Sequence, residues 1–404
     1  MSRNTDPENP AFIPFARPSL GPAEEEAVLR VMRSGWLTTG GEAAAFEGEF
    51  ATAMGKRFAL AVNSATAGLH LALEAAGVGP GDFVAMSPYT FVSSAEVTRY
   101  LGAHPLFVDI EDEGFNLDPE KLEAAVAGTT TGRVRAVMPV HVAGEPCRMD
   151  RISDIARRHD LAVVSDAAHA LLTAEGTPVG SQGDAAVYSF YATKPITTGE
   201  GGMVVTDREE LAERMRVLRL HGIDRDVWNR YTSETASWSY AVTEAGYKYN
   251  MPDLVAAIGR VQLRRATGLH ARRRDIAAYY RDRLSDLSYL RLPPEHPDHC
   301  YHLFIVEIAE EQLSVDRDGF IEALREHGIG TSVHFIPLHL MPYYRDLYGF
   351  TETSFPVSWS RFRRVVSLPL YPNLTDAEVE RVAEAVRAVG DAHYHASEAS
   401  RRTG

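Results

Sequence analysis

The stretch Ser189-Phe190-Tyr191-Ala192-Thr193-Lys194, continued by Pro195-Ile196-Thr197-Thr198-Gly199-Glu200-Gly201-Gly202, decides how the rest of the chain is read. It begins as a strand, because Ala185-Ala186-Val187-Tyr188-Ser189-Phe190 is apolar and aromatic and is bounded by Gly183-Asp184. It ends as a turn with three glycines in four residues. Between strand and turn stands Lys194, with no acidic neighbour before Glu200. Desolvation at the end of a buried strand lowers an amine's pKa and exposes the free base that imine chemistry needs. A lysine that merely snorkels out of a strand end gives the same spacing.

Composition helps to weigh these readings. Only four of the 41 basic residues are lysines: Lys56, Lys121, Lys194 and Lys248. Arginine therefore carries nearly all the surface charge. Lys56 beside Arg57 and Lys121 on a polar helix face read as surface, whereas Lys194 and Lys248 lie among aromatic and glycine residues, where arginine fits poorly. The 404 residues, 45% of them apolar and 24% charged, suffice for a large domain and a smaller one. The net charge of −14 argues against nonspecific binding to nucleic acid or to an anionic membrane. Cys147 and Cys300 show neither metal-ligand spacing nor a disulfide framework. The first ten residues lack an apolar signal core, and no apolar run is long enough to span a bilayer, so a reducing cytoplasm is the expected compartment.

Outward from the lysine, the pattern alternates. We expect a loose arm over 1–17 and a helix opened by Gly21-Pro22-Ala23-Glu24 and stopped by Ser34-Gly35. A loop with an exposed Trp36 follows, then a helix over about 42–54. Strands are expected at 58–62, 83–86, 105–110, 134–140, 161–165, 187–190 and 203–206. Helices at 65–76, 93–101, 118–127, 150–159 and 208–220 alternate with them. This is the signature of an α/β domain with a mostly parallel sheet flanked by helices, assigned to residues 18–250. A smaller α+β domain is expected over 251–395, with a loose tail at 396–404. It would hold a long arginine-rich helix over 253–287, strands at 301–308 and 332–336, a helix at 317–327, and a last helix. That last helix is opened by the capping box Thr375-Asp376-Ala377-Glu378, with Val379, Val382, Val386 and Val389 as its apolar stripe.

Four pieces of the first domain carry chemistry. Asn63-Ser64-Ala65-Thr66-Ala67-Gly68 joins a strand to a helix and leaves free amides and two hydroxyls at a helix N-terminus, a seat for phosphate. Capping by Ser64 or Thr66 is the simpler reading. Asp166 ends an apolar strand, with His169 three residues on. An ionised carboxylate there needs a cation, such as a protonated pyridinium, unless it only caps a helix. Ser87-Pro88-Tyr89-Thr90-Phe91 follows another strand, and Phe91 could cover a flat ring or simply pack in the core. With Lys194 these parts form the kit that pyridoxal phosphate needs: a phosphate seat, a ring stack, an anion for the ring nitrogen and an imine-forming amine.

At this point the chain resembles the DegT/StrS family of nucleotide-sugar aminotransferases, within the fold type I aspartate aminotransferase superfamily, from about Phe15 to Val389. The likeness is carried by residues 33–40 (Arg-Ser-Gly-Trp-Leu-Thr-Thr-Gly), 63–70, 88–92, Asp166-Ala167-Ala168-His169-Ala170, 189–202 and Gly246-Tyr247-Lys248-Tyr249-Asn250-Met251. The resemblance implies that Lys194 holds pyridoxal 5'-phosphate and moves the reaction's proton, with pyridoxamine phosphate as the amino form of the cofactor. It implies that Asp166 keeps the ring nitrogen protonated, that Phe91 stacks on the ring and that His169 lies beside it. Backbone groups of Ala65 and Thr66, with the hydroxyls of Thr66 and Ser189, would hold the phosphate. Asn250 would reach the phosphate of a partner in a homodimer with shared sites. Trp36, Tyr191 and His334 would belong to the substrate pocket. The substrates implied are glutamate and a nucleotide-linked keto sugar. His169 and the Gly246–Met251 segment, with Trp238 and Tyr240 upstream, point to amination at C4 of a UDP- or dTDP-4-keto sugar. The glycine turn after Lys194 is expected to allow close backbone approach near the dimer partner. Arg225, Arg230 and Lys248 are candidate partners for nucleotide phosphates or plain surface charges.

Two other readings remain beside this one: a pyridoxal-phosphate-dependent sugar dehydratase, which in this family carries histidine in place of the lysine, and a non-catalytic cofactor-binding regulator. A dinucleotide-dependent oxidoreductase fits poorly, because Gly77-Val78-Gly79-Pro80-Gly81 precedes a strand where that fingerprint follows one.

Overall fold

The structure, a computed structural model, describes residues 12–223 and 240–395. Arg225, Arg230, Trp238 and the tail at 396–404 lie outside the described residues. In chain order come α1 (Pro22–Ser34), α2 (Gly41–Met54), β1 (Phe58–Val62), α3 (Ala65–Ala75), β2 (Phe83–Met86), α4 (Val92–Tyr100), β3 (His104–Phe107), α5 (Pro119–Gly128), β4 (Val134–Met138), α6 (Met149–Arg158), β5 (Ala162–Asp166), β6 (Ala185–Ser189), β7 (Gly202–Thr206) and α7 (Glu209–Leu218). They build a seven-stranded sheet in the order β1-β7-β6-β5-β4-β2-β3. Only β7 runs against its neighbours. The α/β class expected from the alternation is the one observed.

Every strand but the edge strand β3, whose His104 and Leu106 are half-buried, is buried on both faces, and alternate residues feed different cores. Val62, Met86, Met138, Val164, Val187 and Val204 face α3, α4 and α7. Ala61, Ala186, Tyr188, Met203 and Val205 face α2 and a later long helix, and Ala85, Val137 and Val163 face α5 and α6. The almost wholly apolar α3 is buried from Ala67 to Leu73. It lies on β6 and β7 through Gly68, where a Cβ would stand 2.7 Å from Val187 Cγ1 and 3.0 Å from Val204 Cγ2.

The long helix is α8 (Asp253–Leu284), 32 residues. Asp253 is buried at its start and caps a different helix: Oδ1 accepts the amides of Gly40 (2.7 Å) and Ala43 (2.9 Å), at the N-terminus of α2. Gly40 has no side chain to do this itself, so the cap is supplied from far along the chain. Beyond α8 come β8 (Leu290–Arg291), β9 (Phe304–Ile308), α9 (Arg317–Glu326), α10 (Pro342–Tyr348), α11 (Pro356–Arg364), β10 (Val365–Leu368) and α12 (Asp376–His393). The three strands form an antiparallel sheet, β10-β9-β8, over a core shared by the end of α8, α9 and α12. The Thr375/Glu378 capping box forms, with Thr375 Oγ1 accepting the Glu378 amide (3.2 Å) and the Glu378 carboxylate accepting the Thr375 amide (2.9 Å). The valine stripe behind it is buried.

Some expectations are corrected. No strand forms at 332–336: Ser332 pairs with Ser367 at a single bridge. The chain then turns away, and the carbonyl of His334 accepts the hydroxyl of the buried Tyr89 (2.7 Å). The strands expected to reach Ile110 and Val140 stop at Phe107 and Met138, and the one expected from Tyr301 begins at Phe304. Lys121 is not a plain surface residue; its ammonium bridges the Ile110 carbonyl (2.7 Å) and Asp112 (3.0 Å). Helices α10 and α11 escape the sequence reading, although Pro342 and Pro356 stand at their first positions, where proline is favoured.

Two glycine substitutions should move stability in opposite directions. Gly68→Ala forces a methyl group into Val187 and Val204 and should lower stability by ~1–3 kcal/mol. Gly48→Ala, exposed within α2 with nothing within 4 Å of the added Cβ, should raise it by up to ~1 kcal/mol. Urea unfolding midpoints that fail to separate in this order would contradict the packing described.

Candidate active site

Because β7 is antiparallel to both β1 and β6, those two strands run parallel to each other and end at the same edge as β2, β4 and β5. In open α/β sheets this carboxyl edge is where ligand-binding groups gather. β2 is followed by residues 87–91, β5 ends in Asp166 and β6 ends in Ser189. Gly202, at the start of β7, is paired with Val62 on one side and Ser189 on the other. It therefore sets the N-terminus of α3 beside the end of β6. A Cβ at Gly202 would stand 2.7 Å from the Ala65 nitrogen and 2.8 Å from the Ser64 carbonyl carbon. Gly202, the last glycine of the turn, thus serves a close backbone approach to Ser64 and Ala65 of its own chain. The rest of that turn folds on itself, with the Thr198 amide and Thr197 hydroxyl both donating to the Phe190 carbonyl (3.0 Å each).

A cavity of about 460 Å³ opens at this edge, lined by Ala65, Thr66, Phe91, Asp166, His169, Ser189, Tyr191, Lys194 and His334, among others. Nine of the residues expected at the site therefore meet in one cavity. Two do not. Asn250 donates from Nδ2 to Thr39 Oγ1 (2.6 Å), and the indole of Trp36 donates to the Thr39 carbonyl (3.2 Å). Trp36 and Asn250 thus share a separate loop cluster, and Trp36 is half-buried rather than exposed.

Lys194 follows a turn closed by its own amide on the Tyr191 carbonyl (3.0 Å). Its amine has no hydrogen-bond or ion-pair partner among the described residues. Burial lowers its pKa to about 8, against a smaller upward pull from Asp166. Asp166 is 4% exposed, and its carboxylate accepts the Ser94 hydroxyl (2.8 Å) and the Ala168 amide (3.1 Å). Burial pushes its carboxyl up from the ordinary value, and those two donors and Lys194 pull it back. The Ala168 bond is a short side-chain turn, and no helix follows for Asp166 to cap.

Ser64 is the N-cap of α3, accepting the Ala67 amide (3.1 Å). That leaves the Thr66 hydroxyl without a protein partner among the described residues, and the first amides of α3 without an intrahelical acceptor. Phe91 stands at the N-cap position of α4 and is 61% exposed, at the cavity, so it is not a core residue.

His169 is buried, its ring stacked on Phe335 (centroids 5.6 Å apart, 21° between planes), and its Nδ1 accepts the Ala143 amide (3.2 Å). Burial, then the charges of Lys194 and His334, hold its imidazole well below the ordinary value. His334 stacks on Phe15 (5.4 Å) and meets the Ser367 hydroxyl at 2.9 Å, with its pKa lowered by burial to about 4. His302 was missed in the sequence; it follows Tyr301, sits before β9 and lines the same cavity. Its only local signal is the run Cys300-Tyr301-His302-Leu303, which reads equally as core strand.

The residues present fit a pyridine phosphate. Gly202 keeps the first amide of α3 uncovered, Thr66 and Ser189 add hydroxyls, Asp166 offers a buried anion, and Lys194 offers an amine with no hydrogen-bond or ion-pair partner among the described residues.

The chain matches the DegT/DnrJ/EryC1/StrS aminotransferase family over residues 18–387. It belongs to that family. Over 382 residues it is 47% identical to the spore coat polysaccharide biosynthesis protein SpsC of Bacillus subtilis, covering 94% of this chain and 97% of that protein. A candidate sugar aminotransferase from Streptococcus pneumoniae, solved in its PMP form, superposes with a TM-score of 0.87 at 32% identity, covering 94% of this chain and 99% of that one. The same protein in its PLP form gives 0.86. Helicobacter pylori PseC, an aminotransferase involved in the biosynthesis of pseudoaminic acid, gives 0.84 at 27% identity, covering 95% and 100%. Fold and family therefore agree for this aminotransferase-family chain. Among the described residues no helix is long and apolar enough to cross a membrane.

Two pH dependences follow. Amine-directed labelling of cofactor-free protein should modify Lys194 with a midpoint near pH 8; a midpoint above 10, as for a solvated lysine, would contradict its desolvation. Burial lowers the pKa of His141 to about 4 and of His299 to about 3. The unfolded chain binds these protons first, so their contribution to stability is intact above about pH 6.5 and lost as pH falls towards 4, at ~1.4 kcal/mol per unit for each histidine. Urea midpoints that stay flat from pH 7 to 5 would contradict this.

Proposed function

We propose that this protein is a pyridoxal-phosphate-dependent aminotransferase that moves an amino group from glutamate to a nucleotide-linked keto sugar, at C4 of a UDP- or dTDP-4-keto sugar. The observation that carries the reading is Lys194: a desolvated amine without a hydrogen-bond or ion-pair partner among the described residues, set in one cavity with the buried carboxylate of Asp166. When bound, pyridoxal phosphate supplies a conjugated ring that withdraws electrons from a carbon held next to nitrogen.

The chain's own residues do the rest. The amides of Ala65 and Thr66 and the hydroxyls of Thr66 and Ser189 hold the phosphate at the N-terminus of α3. Asp166, fixed by Ser94 and Ala168, holds a proton on the ring nitrogen. Phe91 covers the ring, and His169 lies beside it. Lys194 near its pKa exists both as free amine and as ammonium, so it takes a proton at Nζ from the substrate carbon and later returns one. Tyr191 and His334 shape the substrate end of the cavity.

The sugar class is supported by the relatives: a spore coat polysaccharide biosynthesis protein, a candidate sugar aminotransferase and an aminotransferase of pseudoaminic acid biosynthesis. The C4 position is supported by His169 and by the Gly246–Met251 segment, which resemble C4 enzymes. Trp36 and Asn250 cluster away from the cavity of their own chain, which supports a homodimer in which each copy completes the other's site. A reducing cytoplasm suits Cys147 and Cys300, both free and buried. The dehydratase reading is weakened by the presence of Lys194 itself, and the regulator reading by a cavity that keeps that amine unpartnered.

The test is a panel of UDP- and dTDP-linked 3-keto and 4-keto sugars with glutamate, read by mass. An aminated 4-keto sugar is expected, and a deoxygenated product or none would overturn the assignment. Lys194→Ala should keep the fold and lose turnover by at least ~10³-fold, and Asp166→Asn should lose at least ~10²-fold. Normal turnover in Lys194→Ala would end the proposal.

A further inference from the structure

We infer that His302 and His169 form a pair of uncharged N–H donors that grips a substrate oxygen in both halves of the reaction, making His302 a specificity-determining residue. The inference rests on the aminotransferase reading above.

His302 is 5% exposed, and its ring centroid lies 4.4 Å from that of His169, the planes tilted by 54°. Both line the cavity that holds Lys194. One residue sets them both. Ala143, in left-handed backbone at φ 59°, gives its amide to His169 Nδ1 (3.2 Å) and its carbonyl to the His302 amide (2.9 Å). The tautomers follow from these bonds. His169 Nδ1 accepts a hydrogen bond, so in the neutral ring the proton sits on Nε2. His302 Nδ1 is fully enclosed with no partner among the described residues. An enclosed N–H without an acceptor costs more than an enclosed lone pair, so the neutral ring again carries its proton on Nε2. Neither Nε2 is bonded to a described residue, and neither is among the enclosed polar atoms that lack partners. Each is therefore open to the cavity as a donor.

The cavity's charge explains why neutral donors suit it. With 41 basic residues and four lysines, 37 are arginine, yet among the described residues lining the cavity Lys194 is the only cation. One cavity has to accept a dicarboxylate amino acid and then a neutral sugar ring. An arginine fixed there would favour the first and be left buried and unpaired by the second, at a heavy desolvation cost. An imidazole N–H donates to a carboxylate, a keto oxygen or a hydroxyl, and leaves no stranded charge when one replaces another. Burial and the proximity of Lys194 keep both rings uncharged.

The test compares His302→Leu, which removes both nitrogens at similar volume, with His302→Gln, which restores an amide N–H near the position of Nε2. Glutarate, a dicarboxylate without an amine, is titrated calorimetrically into protein loaded with pyridoxal phosphate. His302→Leu should weaken binding about tenfold or more, and His302→Gln should stay within about threefold of the parent. The KM values for glutamate and for the keto sugar should rise together in His302→Leu. Its melting temperature should not fall, because the enclosed Nδ1 has no bond to lose. Unchanged glutarate affinity in His302→Leu, equal weakening in both variants, or no glutarate binding by the parent would overturn the inference. Failure of the parent to take up the cofactor, or to aminate any sugar, would instead overturn the functional reading beneath it.

Discussion

The candidate site depends on a carboxylate buried with less than a full set of partners. Asp166 ends β5 inside the protein and receives one hydroxyl and one amide. An ionised carboxylate sealed at 4% exposure with only these is costly. The nearest compensating charge is that of Lys194, whose amine is itself desolvated and shifted towards neutrality. Burial thus shifts both groups towards neutrality, and the attraction between them restores only part of each charge. A cationic ring nitrogen brought between the strand ends would relieve the carboxylate and leave the amine free to act as a base. The cavity is organised as an unmet electrostatic demand, and every other lining residue acts within that field.

The sheet makes this possible by one reversal. Had β7 run parallel like its neighbours, its own carboxyl end and the loop behind it would crowd the edge where the ligand groups gather. Running antiparallel, it enters that edge with Gly202 and leaves from the other side. The absence of a side chain at Gly202 then lets β1 and β6 deliver a helix N-terminus and a serine to one place.

Much of this was legible in the sequence because period and chemistry agreed. The strands at 58–62 and 83–86 and the valine stripe of α12 were read correctly, since apolar runs and capping signals have no competing interpretation there. Lys194, Asp166 and Thr66 could be named because strand ends in an α/β pattern share one edge, Ser189 entered through the family resemblance, and the structure brings all four into one cavity. What escaped was fixed by distant partners. Ser332–Ile336 looks like a strand, but its fate is decided by Tyr89 and Ser367. Asp253 reads as the first residue of a helix, and nothing local says that it caps α2 some 210 positions earlier. His302 is hidden in an apolar run, and its role as a cavity residue comes from Ala143, whose left-handed backbone no alanine announces.

The long helix α8 has a mechanical meaning. Its first half, through Ala256, Leu263, Ala266 and Leu269, belongs to the core beneath the large sheet, and its second, through Ile276, Ala277, Tyr280 and Leu284, belongs to the core beneath the small one. The cavity is built across the same division: Asp166, Ser189 and Lys194 stand on the large-sheet side, while His302, Leu303, His334 and Phe335 come from the chain around the small sheet. One continuous rod therefore joins the two walls at a distance from the gap between them. Long helices curve smoothly and resist sharp bending unless a residue breaks them, and α8 contains no proline. At the cavity itself the same walls are pinned directly, by Tyr89 on the His334 carbonyl and by the Ala143 carbonyl on the His302 amide, so rod and pins together hold the two sides in register.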